Sequence, residues 1–457
     1  MSEEARAPGG QTRRQFLARS LLVGAGLAGA GCAAPGGVPP AAPGAAATGA
    51  GQFVTAQGTR FVLCGRTFPV AGTSNHYLGW ASRAEVDDVL TTARRMGLNV
   101  VRSIMSCVIG SRDGGARRTL WNWRSTDDSS NLGVHGVHLL YWDTRRDTWA
   151  WNDSSVDGLG RWDYVIHRAG QLGLRLNISL LDFWQWAGGA QQIVAWFVPG
   201  YDPQTDVRRG SLFFASPVTK SVYKQWVAHV LERVNGITGV RYRDDPTIFA
   251  WDLMNEPEID GAARDAAGAP LAQSWLTEMA AHVRSIDSNH LVTSGDEGFL
   301  DRPGVLDPAA ELALRGLDFG SWHLYPDYYR VGTADAIDLV RRHGAIAAAA
   351  GKPVLLQEFG YGAQHPSQPD VYRAWLQAVA SDPHSAGWLF WRLVGRVQRP
   401  PTRRFPEAEG DPLAGYALDN GEHFDIIDDA SAAPATVSRT AAVLREAARR
   451  ALPSPSP

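Results

Sequence analysis

Cysteine is scarce in this chain: there are three in 457 residues, and only Cys64 and Cys107 lie beyond the N-terminal 51 residues. Two cysteines cannot staple a domain of this size, which excludes a disulfide framework. One Cys64–Cys107 bridge is the most an oxidising compartment could add, and two buried free thiols is the plainer alternative. Net charge is nearly absent, with 44 Lys+Arg against 47 Asp+Glu and a formal value of −3. That balance gives no electrostatic case for a nucleic acid or an anionic membrane surface as partner. Lysine is limited to Lys220, Lys224 and Lys352, and the arginines are scattered rather than gathered into a binding surface. No Cys/His cluster has metal-ligand spacing. His135 and His138 share a loop with no third ligand near them in sequence, so no metal site is expected. No Gly-rich fingerprint follows the first strand pattern, which argues against a dinucleotide fold.

Tryptophan, in contrast, is abundant, at 17 residues. Many stand close together and near Gly, Asp and Asn, too many for all of them to be core, and exposed indoles suit a cleft that stacks on sugar rings. Thr12-Arg13-Arg14-Gln15-Phe16-Leu17 precedes a small-residue apolar run from Leu21 to Ala30, a pattern that fits a twin-arginine export signal. The run is too short for a stable membrane span. Residues 1–32 therefore read as a signal peptide. Cys32 is a candidate lipidation site, although Gly29 stands where a large aliphatic residue is expected. Residues 33–51, rich in Ala, Pro and Gly, read as a disordered linker, and 453–457 as a disordered tail. An exported protein follows: extracellular, periplasmic or lipid-anchored at the cell surface, and touching membrane only through that anchor.

Residues 52–452 alternate short apolar runs with helical patterns, as a parallel α/β domain does. After a small hairpin over 53–63, strand-like runs fall at 68–73, 99–103, 175–181, 247–254, 290–294, 319–322, 353–357 and 387–390. Helical patterns separate them at 84–96, 161–172, 218–238, 270–286, 334–350 and 371–380, and a closing helix spans 433–452. Eight such runs in order favour a single closed (β/α)8 barrel over an open sheet. Two long insertions, 106–158 and 182–217, follow strands, so both belong on the C-terminal face where barrels build their sites.

Polar residues stand where the apolar runs stop: Arg102 after the second, Asn255-Glu256 after the fourth, His323 and Tyr325 after the sixth, Glu358 after the seventh and Trp391 after the eighth. A barrel gathers such ends. Two carboxylates in unequal surroundings are what glycosidic cleavage needs, one protonated to release the leaving oxygen and one ionised to attack. Arg102 can hold a nearby nucleophile anionic and Tyr325 can donate to it. Asn255 can bond a sugar 2-hydroxyl, His323 can orient the acid, and Trp391 can floor the reacting sugar. Asp296 and Glu297 are further carboxylates better suited to structure. Trp184, Trp186 and Trp196 are each as suited to packing under their loop as to stacking on sugar.

The run Trp251-Asp252-Leu253-Met254-Asn255-Glu256-Pro257 resembles the Asn-Glu-Pro signature of glycoside hydrolase family 5. The resemblance extends to that family's endo-β-1,4-mannanases through Ala71 to Leu78, Val100-Val101-Arg102, Asp244 to Trp251, Glu297-Gly298-Phe299, His323-Leu324-Tyr325-Pro326, Glu358-Phe359-Gly360 and Phe390-Trp391. It implies Glu256 as acid/base, Glu358 as nucleophile, supporting roles for Arg102, Asn255, His323, Tyr325, Trp391 and Trp184, and no cofactor. It also implies a β-mannan or related β-linked glycan as partner, and a monomer is expected. Two departures, Ser103-Ile104-Met105 and Leu181-Asp182-Phe183-Trp184, fall at cleft-lining positions. They leave exo-β-mannosidase and β-1,4-glucanase activity open, with a non-catalytic sugar-binding barrel as the alternative of another class.

Overall fold

The computed structural model describes residues 52–112, 136–203, 206, 211–302, 305, 307–396, 423–431 and 433–452. The leader, the linker and the tail read from the sequence lie outside the described residues.

Eight parallel strands form the centre: β1 (Val70–Ser74), β2 (Val100–Ile104), β3 (Arg175–Ser179), β4 (Ile248–Asp252), β5 (Leu291–Thr293), β6 (Gly320–Leu324), β7 (Val354–Phe359) and β8 (Ser385–Trp391). Helices between successive strands cover the outer face and the strands' own side chains fill the interior, so almost every strand residue is buried. The order β5-β4-β3-β2-β1-β8-β7-β6 wraps all but completely. The β5–β6 seam lacks a strand ladder and is instead stitched by Asp318 N–H donating to Val292 O at 2.8 Å and Thr293 Oγ1 donating to Phe319 O at 2.8 Å. This is the (β/α)8 barrel expected.

Local signals explain the first helix, Arg83–Arg95. Ser82 and Glu85 form a reciprocal capping box at its start, and Gly97, at φ +84°, lets the chain turn back just past its end. The hairpin strands Thr55–Gln57 and Arg60–Leu63 continue into a third strand, Arg66–Thr67. Phe61 from this small sheet enters the N-terminal mouth of the barrel, edge-on to Phe249 and Phe319 at 5.0 and 5.1 Å. Burying that one ring contributes on the order of 2 kcal/mol, and it closes the end opposite the site.

Three expectations change. The helix expected to reach Thr238 ends at Glu232, because Asn235 Oδ1 caps Ile237 N and Thr238 N in a tight turn. The two insertions are not plain loops. The first carries a small sheet of Val108–Ile109, Leu140–Asp143 and Thr148–Trp151, and the second the helices Gly189–Phe197 and Ser211–Ala215. Neither cysteine alternative holds: no Cys64–Cys107 bridge forms, Cys107 being buried with its Sγ donating to Val137 O at 3.1 Å, and Cys64 is exposed in the turn of the hairpin sheet. The tryptophans divide as expected: among the described residues Trp162, Trp196, Trp226, Trp251, Trp275 and Trp375 are fully buried, whereas Trp151 is exposed.

Candidate active site

Arg102, the middle residue of β2, is the hub. Its side chain is fully buried, and each nitrogen has a carboxylate or a carbonyl-type partner. Nε donates to Asp252 Oδ2 at 2.8 Å, Nη1 to Glu358 Oε1, and Nη2 to Asn255 Oδ1 at 2.8 Å and Ser179 Oγ at 3.1 Å. Burial opposes the charge, but Asp252 and Glu358 outweigh that and keep the guanidinium protonated. Beneath it lies a buried polar layer. Asp252 accepts from Asn177 Nδ2 at 2.6 Å, Ser179 Oγ at 2.7 Å and Gln357 Nε2 at 3.0 Å. Such a network tolerates no missing member without stranding a buried polar group.

Past β4 the chain stays tied to the β3 extension, Asn255 N–H donating to Leu181 O at 2.8 Å and Phe183 N–H to Asn255 O at 3.1 Å. Glu256 then turns into the left-handed region at φ +47°, its N–H donating to Gly295 O at 2.9 Å. A side chain there without glycine's freedom costs roughly 1 kcal/mol. The turn can pack so closely because position 295 is glycine: a Cβ there would meet Met254 O at 2.0 Å.

The two glutamates differ in their partners. Glu358 accepts from Arg102 and from Tyr325 OH at 2.6 Å. Glu256 accepts from Trp184 Nε1 at 2.6 Å and faces His323 Nδ1 at 2.7 Å. Burial pushes Glu256 up to about 7; the Trp184 bond and Arg102 pull it down, and Glu258 pushes it further up. Burial also holds Glu358 above the usual carboxylate range, with Glu256 adding to the rise; the direct bonds from Arg102 and Tyr325 oppose it and support the anion. Burial lowers His323 to about 4, leaving the imidazole neutral near neutral pH. One oxygen of Glu256 and one of Glu358 lie within 4.8 Å of each other. That spacing matches the roughly 5–5.5 Å of carboxyl pairs that act through a covalent intermediate, not the 6.5–9.5 Å, roughly, that leaves room for water.

These groups open into a cleft of about 1190 Å³. Arg102 lies beneath it, and Asn255, Glu256, His323, Tyr325, Glu358, Trp391 and Trp184 all line it, so the barrel gathers every site residue singled out in the sequence. Trp391 lies stacked with His76, ring centroids 5.5 Å apart. Trp186 also lines the cleft, whereas Trp196 is core, its Nε1 donating to Gly110 O at 2.8 Å. Two contributors, Asp252 and Asp182, were not singled out as site residues in the sequence, and Glu297 was read there as structural. Asp252 and Asp182 sit at the ends of apolar runs, and that position was their only signal. Glu297 lines the cleft as well as accepting from Tyr329 OH at 2.7 Å; burial, then Glu256, push its carboxyl well above the usual range.

A closed parallel barrel carrying two close carboxylates of unequal environment, at the C-terminal ends of β4 and β7, defines a glycoside hydrolase. A family model described as GH family 5 beta-mannosidase-like matches residues 144–372. Mannan endo-1,4-beta-mannosidase 1 of rice (Oryza sativa subsp. japonica) is 34% identical over 380 residues, covering 75% of this chain and 79% of that protein. Mannan endo-1,4-beta-mannosidase A of Podospora anserina is 29% identical over 348 residues, covering 73% and 80%. Among solved structures, the endo-1,4-beta-mannanase of Rhizomucor miehei superposes with a TM-score of 0.67 at 28% identity, covering 87% of this chain and 99% of that one. The chain belongs to glycoside hydrolase family 5.

Proposed function

We propose that this protein is a retaining endo-β-1,4-mannanase. The observation that carries the reading is the approach of one oxygen of Glu256 and one of Glu358 to within 4.8 Å, with burial pushing Glu256 up to about 7 and Arg102 and Tyr325 bonded directly to Glu358. In the first step Glu358 attacks the anomeric carbon while Glu256 gives its proton to the glycosidic oxygen, which leaves with the aglycone. In the second, Glu256 takes a proton from water, the water oxygen bonds the anomeric carbon, and the Glu358 carboxylate departs. Arg102 and Tyr325 hold the nucleophile anionic and aimed. Trp184 and His323 orient the acid, Asn255 offers its amide to the sugar 2-hydroxyl, and Trp391 floors the reacting ring. Mannan is favoured as substrate because relatives carrying that activity in their names align over most of their length.

A product profile on mannohexaose, galactomannan and carboxymethylcellulose tests the substrate and the mode. Mannobiose and mannotriose from the first two support internal cleavage. Mannose alone would move the reading to an exo-mannosidase, release from cellulose to a glucanase, and binding without any release to a carbohydrate-binding barrel. Glu256→Ala should lower kcat on mannan by about 10²–10⁴-fold. Azide, which needs no general base, should restore activity as a glycosyl azide on a substrate with a good leaving group; absence of rescue would remove Glu256 from the acid/base role. The pH profile should be a bell whose alkaline limb falls through about 7, as Glu256 loses the proton it must donate. Its acid limb lies where Glu358 becomes protonated. The paired arginines at Arg13-Arg14 ahead of a short apolar run further support export by the twin-arginine route.

A further inference from the structure

Asp182 belongs to neither catalytic step, yet it touches both sides of the acid/base. It follows β3 in the segment that departs from the family pattern, and its side chain is buried. Its Oδ1 accepts from Asn255 Nδ2 at 2.9 Å and from Trp184 N–H at 3.3 Å. The same two residues reach the chemistry directly. Asn255 turns its amide oxygen to Arg102 at 2.8 Å, and Trp184 turns its indole N–H to Glu256 at 2.6 Å. An asparagine amide can be turned either way by half a rotation, and only one way leaves its oxygen to Arg102 and its NH₂ to a carboxylate. The main chain is clamped as well. Asp182 O accepts from Ala190 N–H at 2.8 Å, and Gly189 packs where a Cβ would meet that oxygen at 2.4 Å.

We propose that Asp182 is a positioning residue for the acid/base, fixing the Asn255 amide and the Trp184 loop in the single arrangement that serves Arg102 and Glu256 together. This rests on the reading of Glu256 as proton donor. The charged groups near Asp182 are Glu256 beyond β4 and Glu358 on β7, with Arg102 on β2 reached through Asn255; Gln191 and Gln192 on the helix packed against it are neutral. Burial, aided by the two glutamates, pushes Asp182 up to about 7, against the bonds from Asn255 and Trp184. Asp182 and Glu256 oppose each other's ionisation, since one carboxylate disfavours another.

Asp182→Ala removes the acceptor and Asp182→Asn keeps an acceptor without the charge. With mannohexaose as substrate, Asp182→Ala should lower kcat by about 10–100-fold with KM nearly unchanged, the scale of a misplaced catalytic group. Asp182→Asn should recover about tenfold of that loss, while its alkaline limb moves to lower pH by roughly half a unit or more. A rise in KM at retained kcat would overturn the proposal in favour of direct sugar contact. So would an Asp182→Asn profile that superimposes on the parent's. If Asp182→Ala does not fold, the Asp182→Asn profile alone decides. Azide rescue of Glu256→Ala separates the two claims: with rescue present and no Asp182 effect, only the positioning role fails.

Discussion

Glu358→Gln is expected to lower turnover of mannan by roughly 10⁴-fold or more, since removing a nucleophile abolishes the covalent route and leaves only binding and the remaining electrostatics. The amide is nearly isosteric, so the cleft should keep its shape. Tyr325 OH can still donate to the amide oxygen, as it does to Glu358 Oε2 at 2.6 Å. Affinity for mannohexaose, read by calorimetry or protein fluorescence, should stay within about tenfold of the parent, because ground-state binding does not depend on the attacking charge. The pair of readings matters. Lost turnover with retained binding identifies a group that acts on the transition state, whereas retained turnover would strip Glu358 of its role.

Arg102→Met is expected to have the next largest effect, on stability as well as rate. The substitution fills much of the same volume but leaves Asp252 and Glu358 buried without their cation. Breaking a buried pair from one side costs about 3–5 kcal/mol, which a denaturant midpoint would register. The activity loss should be on the order of 10²–10³-fold, as for removal of one preorganised electrostatic group, because Glu358 would then hold a proton at working pH. Arg102→Lys retains charge but not the fork that reaches Asp252, Glu358 and Asn255 at once, so it should fall between parent and methionine. Equal stability of all three would mean that the guanidinium is not the hub of this site.

The barrel was legible in the sequence because its strands are buried on both faces and open as unbroken apolar runs, as in Ile248–Trp251 and Val354–Leu356. Arg102, Glu256, His323, Tyr325 and Glu358 stood out because a polar residue that ends such a run must face the mouth. Asp182 and Asp252 end runs too, but their meaning lies in partners distant in the chain. Asp252 is defined by Asn177, Gln357 and Arg102, and nothing local announces that. The insertions were misread for a related reason. The strands at Val108–Ile109 and Leu140–Asp143 are short and pair across a long gap, so periodicity could not reveal them. Composition counts indoles without saying which way they point, so Trp184, Trp186 and Trp196 stayed open in the sequence and only the fold sorts cleft from core.

The left-handed turn at Glu256 has an evolutionary consequence. The backbone at that position would rather carry glycine or asparagine, so the glutamate persists only while proton donation is under selection. A descendant that kept the cleft for holding glycans, but no longer cut them, would gain stability by giving up this one side chain. Position 256 is therefore where loss of catalysis in such a lineage would first be written.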